Sequence, residues 1–301
     1  MKAFGLCAIL AWLLLSATAF AQDRKVVGYG SFFNNDLIGD GEDRWRTGGY
    51  SISQLRAPSW DGALPERFGA LLEYRFRAEI IAPRDVSNPS AGSRPYVGAL
   101  SAGLHSHWQH ANTEMSLGLD LILVGPQTGL DTLQDVFHDL FRAPRPRVDG
   151  VQVGNTIRPT ITFEAGRGYE TRATNLRPFV EFQAGAETLV RVGGDMYLGA
   201  IDRGGLRLRD SATGHRYQGI SNSNSQGAAF FLGGDVAYVA DSRYLDTQSV
   251  QARETRSRLR AGIDAGLPGG RVFYGITYLS EEFDNQKEGQ ILGSLDLRFR
   301  F

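Results

Sequence analysis

FGALLEYRFRAEIIA, residues Phe68–Ala82, is the stretch that decides the fold. Apolar and charged side chains alternate along it, and this period of two is typical of a β-strand. The apolar set is Leu72, Tyr74, Phe76, Ala78 and Ile80, and the charged set is Glu73, Arg75, Arg77 and Glu79. A face that carries four charges cannot enter the dry core of a soluble β-sandwich. That face must therefore meet water or other charged groups.

The same two-faced pattern recurs along the chain. It is clear in Met115–Leu123, Thr255–Leu267 and Ile291–Phe301, and weaker in Val190–Leu198 and Ala228–Ala240. Such recurrence favours a membrane β-barrel, in which one face of each strand meets lipid and the other lines the lumen. It disfavours a soluble periplasmic binding protein.

The N-terminal segment 1–21 has the features of a secretory signal peptide. It has a short basic start, an apolar run at Phe4–Leu15 and an A-x-A cleavage pattern that ends at Ala21, so we expect the mature chain to begin at Gln22. Cys7, the only cysteine, would leave with this segment, which excludes disulfide and thiol chemistry in the mature protein. Loss of the segment's single lysine would take the formal net charge from −1 to −2, so we expect no nucleic-acid partner.

The mature chain, 22–301, is predicted to form one transmembrane antiparallel up-and-down β-barrel of about twelve strands, an even number as bacterial barrels require. The predicted strands lie near 25–34, 46–55, 68–82, 94–107, 113–124, 152–165, 174–185, 188–199, 227–241, 253–266, 271–283 and 290–301. With periplasmic termini, the segment 200–226 falls on the periplasmic side, and the sequence assigns it no role. Phe301 in the last alternating strand resembles the signal recognised by the outer-membrane assembly machinery. We therefore expect the outer membrane of a Gram-negative bacterium.

A short helix is predicted between two of the strands. Leu130–Phe141 has apolar residues at helical spacing and contains His138. The topology brings this extracellular loop to the same rim as Asn35, Asp36 and Thr47. A histidine, a carboxylate, an amide and a hydroxyl suffice for general-base or metal-assisted hydrolysis. The same residues have ordinary alternatives, since Asn and Asp favour turns, Thr favours strands and a helical His can simply be packed.

Several short motifs, in their order and spacing, resemble the outer-membrane lipid A 3-O-deacylases, twelve-stranded barrels that remove an acyl chain from lipid A. The motifs are Asn35-Asp36, the D-R-x-x-T-x-G pattern at Asp43–Gly49, Arg94–Gly98, Val124–Pro126, Phe137–Leu140, Asp241–Asp246 and Glu282-Phe283. The resemblance covers nearly all of the mature chain.

The resemblance implies a carboxylic ester hydrolase whose site is formed by Asn35, Asp36, Thr47 and His138, with Ca²⁺ bound. His138 would be the general base for water, and Ca²⁺ held partly by Asp36 would stabilise the oxyanion. Asn35 and Thr47 would orient water or stabilise charge. The implied substrate is lipid A, or lipopolysaccharide, in the outer leaflet of the bilayer.

The chain departs from the family after the histidine. A Glu is expected a few residues further on, but the sequence there is Arg-Ala-Pro-Arg-Pro-Arg, and the run that enters the next strand is reduced to Asp149–Val153. We hypothesise that Arg142, Arg145 and Arg147 instead bind the phosphates of lipid A.

Two other interpretations stay open. The protein could be a catalytically silent structural barrel or a small diffusion channel, in which case the inward charges would shape a pore. The arginines of 256–260 and 298–300 are expected to pair with Glu73, Glu79, Asp264 and Asp296 rather than to filter anions. A zinc site at His105, His107 and His110 is disfavoured because these residues lie far from the other candidates.

Overall fold

The computed structural model describes residues 24–89, 93–141, 150–200, 202–222, 227–245, 250–267 and 269–299. The described residues form one α-helix, α1 (Leu130–Phe141), and strands that we number in chain order. They are β1 (Lys25–Asn35), β2 (Trp45–Ala57), β3 (Leu71–Ala82), β4 (Val97–His110), β5 (Thr113–Val124), β6 (Thr156–Gly166), β7 (Tyr169–Glu170), β8 (Thr174–Ala184), β9 (Glu187–Gly199), β10 (Leu206–Arg209), β11 (Arg216–Ile220), β12 (Gly227–Ser242), β13 (Thr255–Leu267), β14 (Gly270–Leu279) and β15 (Gln290–Phe299). Short 3₁₀ turns cover Pro126–Thr128 and Arg243–Leu245.

Twelve of these strands form a closed antiparallel barrel. The hydrogen-bonded order is β6, β5, β4, β3, β2, β1, β15, β14, β13, β12, β9 and β8, and β8 pairs with β6 to close the ring. This confirms the predicted barrel, and each predicted strand has a counterpart whose ends differ by a few residues. No helix among the described residues is long and apolar enough to cross a membrane. The predicted signal peptide and Phe301 lie outside the described residues.

The two faces of β3 show why the strands alternate. Tyr74 and Phe76 point away from the barrel and are 46% and 48% exposed, whereas Glu73 and Glu79 are 0% and 3% exposed. Apolar side chains outside can meet lipid, and the charged ones inside must find partners because burying an unpaired charge is costly.

The lumen contains ion pairs between strands that are adjacent or one strand apart. Arg258 and Arg260 both bind Asp235, and Arg260 also binds Asp195 at 3.0 Å. Arg256 binds Glu187 at 2.8 Å.

Those of these arginines that the structure describes are paired, as expected, but most of the predicted partners are wrong; Arg300 lies outside the described residues. Of the predicted pairs, Arg298 with Asp296 is present. Glu73 binds Arg75, Glu79 binds Arg46, and Asp264 binds Arg271. Alternation places a charge in the lumen, but the register between strands decides which charges lie at the same height.

The segment 202–222 folds back into the lumen as the β10–β11 hairpin. Its partners are distributed around the barrel wall, which requires the hairpin to lie inside. They are Glu164 on β6 and Asp195 on β9 for Arg209 (2.6 and 2.8 Å), Glu114 on β5 for Arg216 (3.4 Å), Ser53 on β2 for Tyr217 (3.1 Å), Arg298 on β15 for Gln218, and Arg258 on β13 for the Ser211 carbonyl (2.8 Å). From the sequence, this segment was expected at the periplasmic end and was assigned no role, because its contacts with the barrel wall involve other strands.

Apolar packing also holds the hairpin in the barrel. Leu208 and Tyr217 belong to a buried cluster with Phe32, Phe231 and Phe273 of the wall. The hairpin backbone approaches β1 so closely that a Cβ on Gly28 would lie 2.2 Å from the carbonyl oxygen of Gly219. A larger residue at position 28 would clash with the backbone of the hairpin, so glycine is needed there.

Removing the hairpin should open the barrel. Its ends are close, since the Asn222 N–H lies 3.3 Å from Asp202 Oδ2, so a short Gly-Ser linker can replace residues 203–221. We expect no measurable conductance for the intact protein in planar bilayers and discrete conductance steps for the deletion variant. A deletion variant that inserts with the gel mobility of a folded barrel but stays silent would show that the wall charges alone close the lumen.

Candidate active site

The ends of β1 and β2 bring together three of the predicted site residues. The Asp36 N–H donates to the Thr47 carbonyl at 3.1 Å, and Asn35 pairs with Gly48 across the two strands. A Cβ at position 48 would lie 2.8 Å from Asn35 Nδ2, so glycine leaves room for the Asn35 carboxamide. Asn35 Oδ1 accepts the Leu37 N–H at 2.8 Å, which starts the connecting loop as an Asx turn.

Asp36 is a buried carboxyl in an acidic loop. It is 1% exposed, and its Oδ2 accepts the Arg44 N–H at 2.8 Å. Burial raises the pKa of Asp36 to about 8; the Arg44 N–H opposes this shift, and the charges of Asp43 and Asp40 add to it. A positive charge at this position would hold the carboxyl ionised.

Thr47 sits at an irregularity in β2. The pairing of β2 with β3 skips a residue between Arg46 and Gly48, which leaves Thr47 as the extra residue of a β-bulge. Bulges are frequent beside active sites, where they re-aim a side chain. The Thr47 hydroxyl is buried, and no described residue is its hydrogen-bond partner. It is available to a water molecule or a substrate.

A row of residues on the lipid-facing wall, two of them glycines, leads from Asn35 toward α1. Asn35 follows Phe33, which is 38% exposed, on the outer face of β1. The strand register then aligns Asn35 with Gly48 on β2, Ile80 on β3 and Gly98 on β4. Cross-strand neighbours share a face. Three strand spacings separate Asn35 from Gly98, roughly 14 Å, and we call this row the shelf.

The start of α1 packs against Gly98, at the end of the shelf opposite Asn35. A Cβ at Gly98 would lie 2.6 Å from Thr128 Oγ1 and 3.2 Å from Leu130 Cβ, so glycine allows the start of α1 to approach the wall. Asn35 and α1 therefore bound the two sides of the shelf.

One face of α1 is buried and the opposite face is exposed. Leu130 and Gln134 are 5% and 3% exposed, whereas Leu133 and Val136 are exposed. Position 138 follows Gln134 by four residues and so lies on the same helix face. The side chain of His138 lies outside the described part of the structure, and so do Arg142, Arg145 and Arg147.

Tyr96, next to the start of β4, is a buried residue that sequence reasoning did not single out, although it lies within one of the quoted motifs. Its side chain is 0% exposed, and no described residue is a hydrogen-bond partner of its hydroxyl. Burial raises the pKa of Tyr96, and the charges of Asp131 and Asp135 on α1 and of Asp43 in the β1–β2 loop add to the shift.

The acidic groups do not form a ready metal cluster. Among the residues described here, no group of three or more His, Cys, Asp or Glu side chains is arranged to hold a metal ion. The donors at the rim are nevertheless oxygens, chiefly the Asp36 carboxylate and the Thr47 hydroxyl, and hard cations such as Ca²⁺ prefer such donors. The chemistry of these residues fits calcium.

Two of the three histidines on β4, His105 and His107, have carboxylate partners in the lumen. His105 Nε2 lies 3.2 Å from Asp120, and His107 Nε2 lies 2.7 Å from Glu73. Each imidazole is thus satisfied by a lumenal carboxylate, as expected for structural histidines.

The fold and the outer-wall shelf define an outer-membrane β-barrel protein. The chain matches the family model of the outer membrane protein LpxR over residues 6–301, and it belongs to this family. No curated protein matches the sequence.

The solved structures that resemble this protein are also barrels. LpxR from Salmonella typhimurium has a TM-score of 0.73 at 18% identity and covers 91% of this chain and 100% of that chain. The β domain of the Bordetella autotransporter BrkA has a TM-score of 0.43 at 16% identity, covering 92% of this chain and 100% of that chain. The first similarity supports the fold.

Proposed function

We propose that this protein is a lipid A deacylase, an ester hydrolase that removes the 3-O-linked acyl chain of lipid A in the outer leaflet. The observation that carries the proposal is the shelf between Asn35 and α1. It lies on the lipid-facing wall at one rim of the barrel, so a membrane lipid can reach it without leaving the bilayer. Membership of the LpxR family supports the same activity.

The residues of the rim have distinct roles in the proposed hydrolysis. His138 removes a proton from a water molecule, and the water oxygen attacks the ester carbonyl. Asn35 and Thr47 orient the water or stabilise the negative charge that develops on the carbonyl oxygen. The products are a free fatty acid and a sugar hydroxyl.

Asp36, together with backbone oxygens, would hold calcium at this site. When bound, calcium supplies the positive charge that polarises the ester carbonyl. Its charge would also favour the ionised form of the buried Asp36 carboxyl.

The alternative function, a diffusion channel, is disfavoured by the lumen. The β10–β11 hairpin and its ion pairs occupy the space through which a solute would pass. A structural barrel without activity is the remaining alternative.

Mass spectrometry of lipid A from cells that express the protein tests the proposed activity. We expect the wild type to remove an acyloxyacyl group in the presence of Ca²⁺. His138→Ala and Asp36→Ala should lower the rate by about 10²–10⁴-fold, the usual contribution of a general base or a positioned charge. Chelation of calcium should also stop the reaction.

Two exposed residues away from this rim provide matched controls. His110→Ala and Asp61→Ala change the same residue types on exposed surface and should leave the lipid A product unchanged. A correctly inserted wild type that causes no mass change would favour the structural barrel.

The basic segment after α1 is proposed to bind the lipid A phosphates. The triple variant Arg142→Ala, Arg145→Ala and Arg147→Ala should weaken binding to vesicles that contain bisphosphorylated lipid A, because three charge-assisted contacts are lost. Replacing the exposed residues Arg167, Arg172 and Arg203 by Ala gives a control with the same change in charge. Unchanged affinity of the first variant would exclude phosphate binding by this segment.

A further inference from the structure

A glutamine on β15, the strand next to β1, binds the backbone of the segment between Asp36 and Thr47. We call this pair of hydrogen bonds the grip of Gln290. Gln290, the first residue of β15, is 2% exposed. Its Nε2 donates to the Arg44 carbonyl at 2.6 Å, and its Oε1 accepts the Arg46 N–H at 3.1 Å. The carboxamide therefore pairs with the backbone as another strand would.

The two bonds bracket a residue in an unusual conformation. Trp45, between Arg44 and Arg46, has a φ of +54°, in the left-handed region that bulky side chains rarely adopt. Such a conformation costs free energy and persists only where the surroundings enforce it. Packing of Trp45 against Leu245 and Phe283 and the grip of Gln290 are the contacts that enforce it.

The segment that Gln290 binds contacts two of the four candidate site residues, Asp36 and Thr47. The N–H of Arg44 donates to Asp36 Oδ2 at 2.8 Å, so the carboxylate is fixed by the same residue whose carbonyl Gln290 binds. Thr47 follows Arg46 directly at the bulge. A change in the path of residues 44–46 would therefore move the Asp36 carboxylate and the Thr47 hydroxyl relative to each other.

The next residue of β15 binds the same loop. The Ile291 carbonyl accepts the Asp40 N–H at 3.1 Å, and the Ile291 N–H donates to Asp40 Oδ2 at 3.1 Å. The start of β15 thus holds the β1–β2 loop at two points, one near Asp40 and one around Trp45.

We propose that Gln290 is a positioning residue for the hydrolysis, which sets the relative placement of Asp36 and Thr47 through the backbone of Arg44 and Arg46. This inference rests on the proposed function. Gln290 itself touches neither Asp36 nor substrate in this account.

The substitution Gln290→Leu removes the grip and keeps a side chain of similar size. We expect kcat on lipid A to fall by about ten- to a hundredfold, because misplacement of reacting groups by about 1 Å has effects of this size. KM should change less than about twofold, since lipid binding to the shelf and the basic segment is unaffected. Gln290→Glu, which keeps the acceptor for Arg46 and loses the donor for Arg44, should give an intermediate kcat.

Gln218→Leu is the matched control. Gln218 is also 2% exposed, its Nε2 donates to the Ile220 carbonyl at 3.2 Å, and its hydrogen-bond partners Asp202, Ile220 and Arg298 lie outside the β1–β2 loop. We expect a comparable loss of thermal stability with kcat unchanged. An equal loss of kcat in Gln218→Leu and Gln290→Leu would assign Gln290 a merely structural role and overturn the proposal.

Trypsin provides a measurement that is independent of activity. Arg44 and Arg46 are 6% and 8% exposed, so the chain should resist cleavage after either residue in the folded wild type. Gln290→Leu should make this segment susceptible while Gln218→Leu does not. An inactive wild type would contradict the proposed function. Trypsin cleavage would then test whether Gln290 fixes the backbone of residues 44–46. An active wild type, with a Gln290→Leu variant equal to it in kcat and in cleavage, would overturn the inference alone.

Discussion

Pairing of charges inside the barrel is the interaction on which the rest of the structure depends. Each strand must offer apolar side chains to lipid, and the alternate positions then face a lumen from which water is largely displaced. Arginines and carboxylates there are stable only as pairs, and Arg260 with Asp195 and Asp235 is the most buried example. The β10–β11 hairpin extends this network, because Arg209 satisfies carboxylates of two wall strands.

A filled lumen determines where a site can be. With the interior occupied, a substrate can reach the protein at its rims or its outer wall. The candidate site uses both: Asn35, Gly48 and Gly98 form a shelf on the lipid-facing side, and α1 bounds it. The same wall that pairs charges inward thus presents a shelf on its outer face.

The sequence predicted those features that depend on local pattern. Alternation in Phe68–Ala82 is enough to place Glu73 inside and Phe76 outside, and helical spacing is enough to find α1. The hairpin, the partners of Arg258 and the contacts of Gln290 depend on which distant strands become neighbours. Gln290 is separated from Arg44 by almost the whole chain, and barrel closure alone makes them adjacent. Periodicity carries no information about such pairs.

Release of fatty acid by the purified, folded barrel tests the central claim most directly. The substrate would be lipid A with both ester-linked and amide-linked acyl chains, supplied with calcium in mixed micelles and analysed by mass spectrometry. We expect release of the 3-O-linked chain with the amide-linked chains intact. A folded protein that releases no chain, or that cleaves the amides, would contradict it.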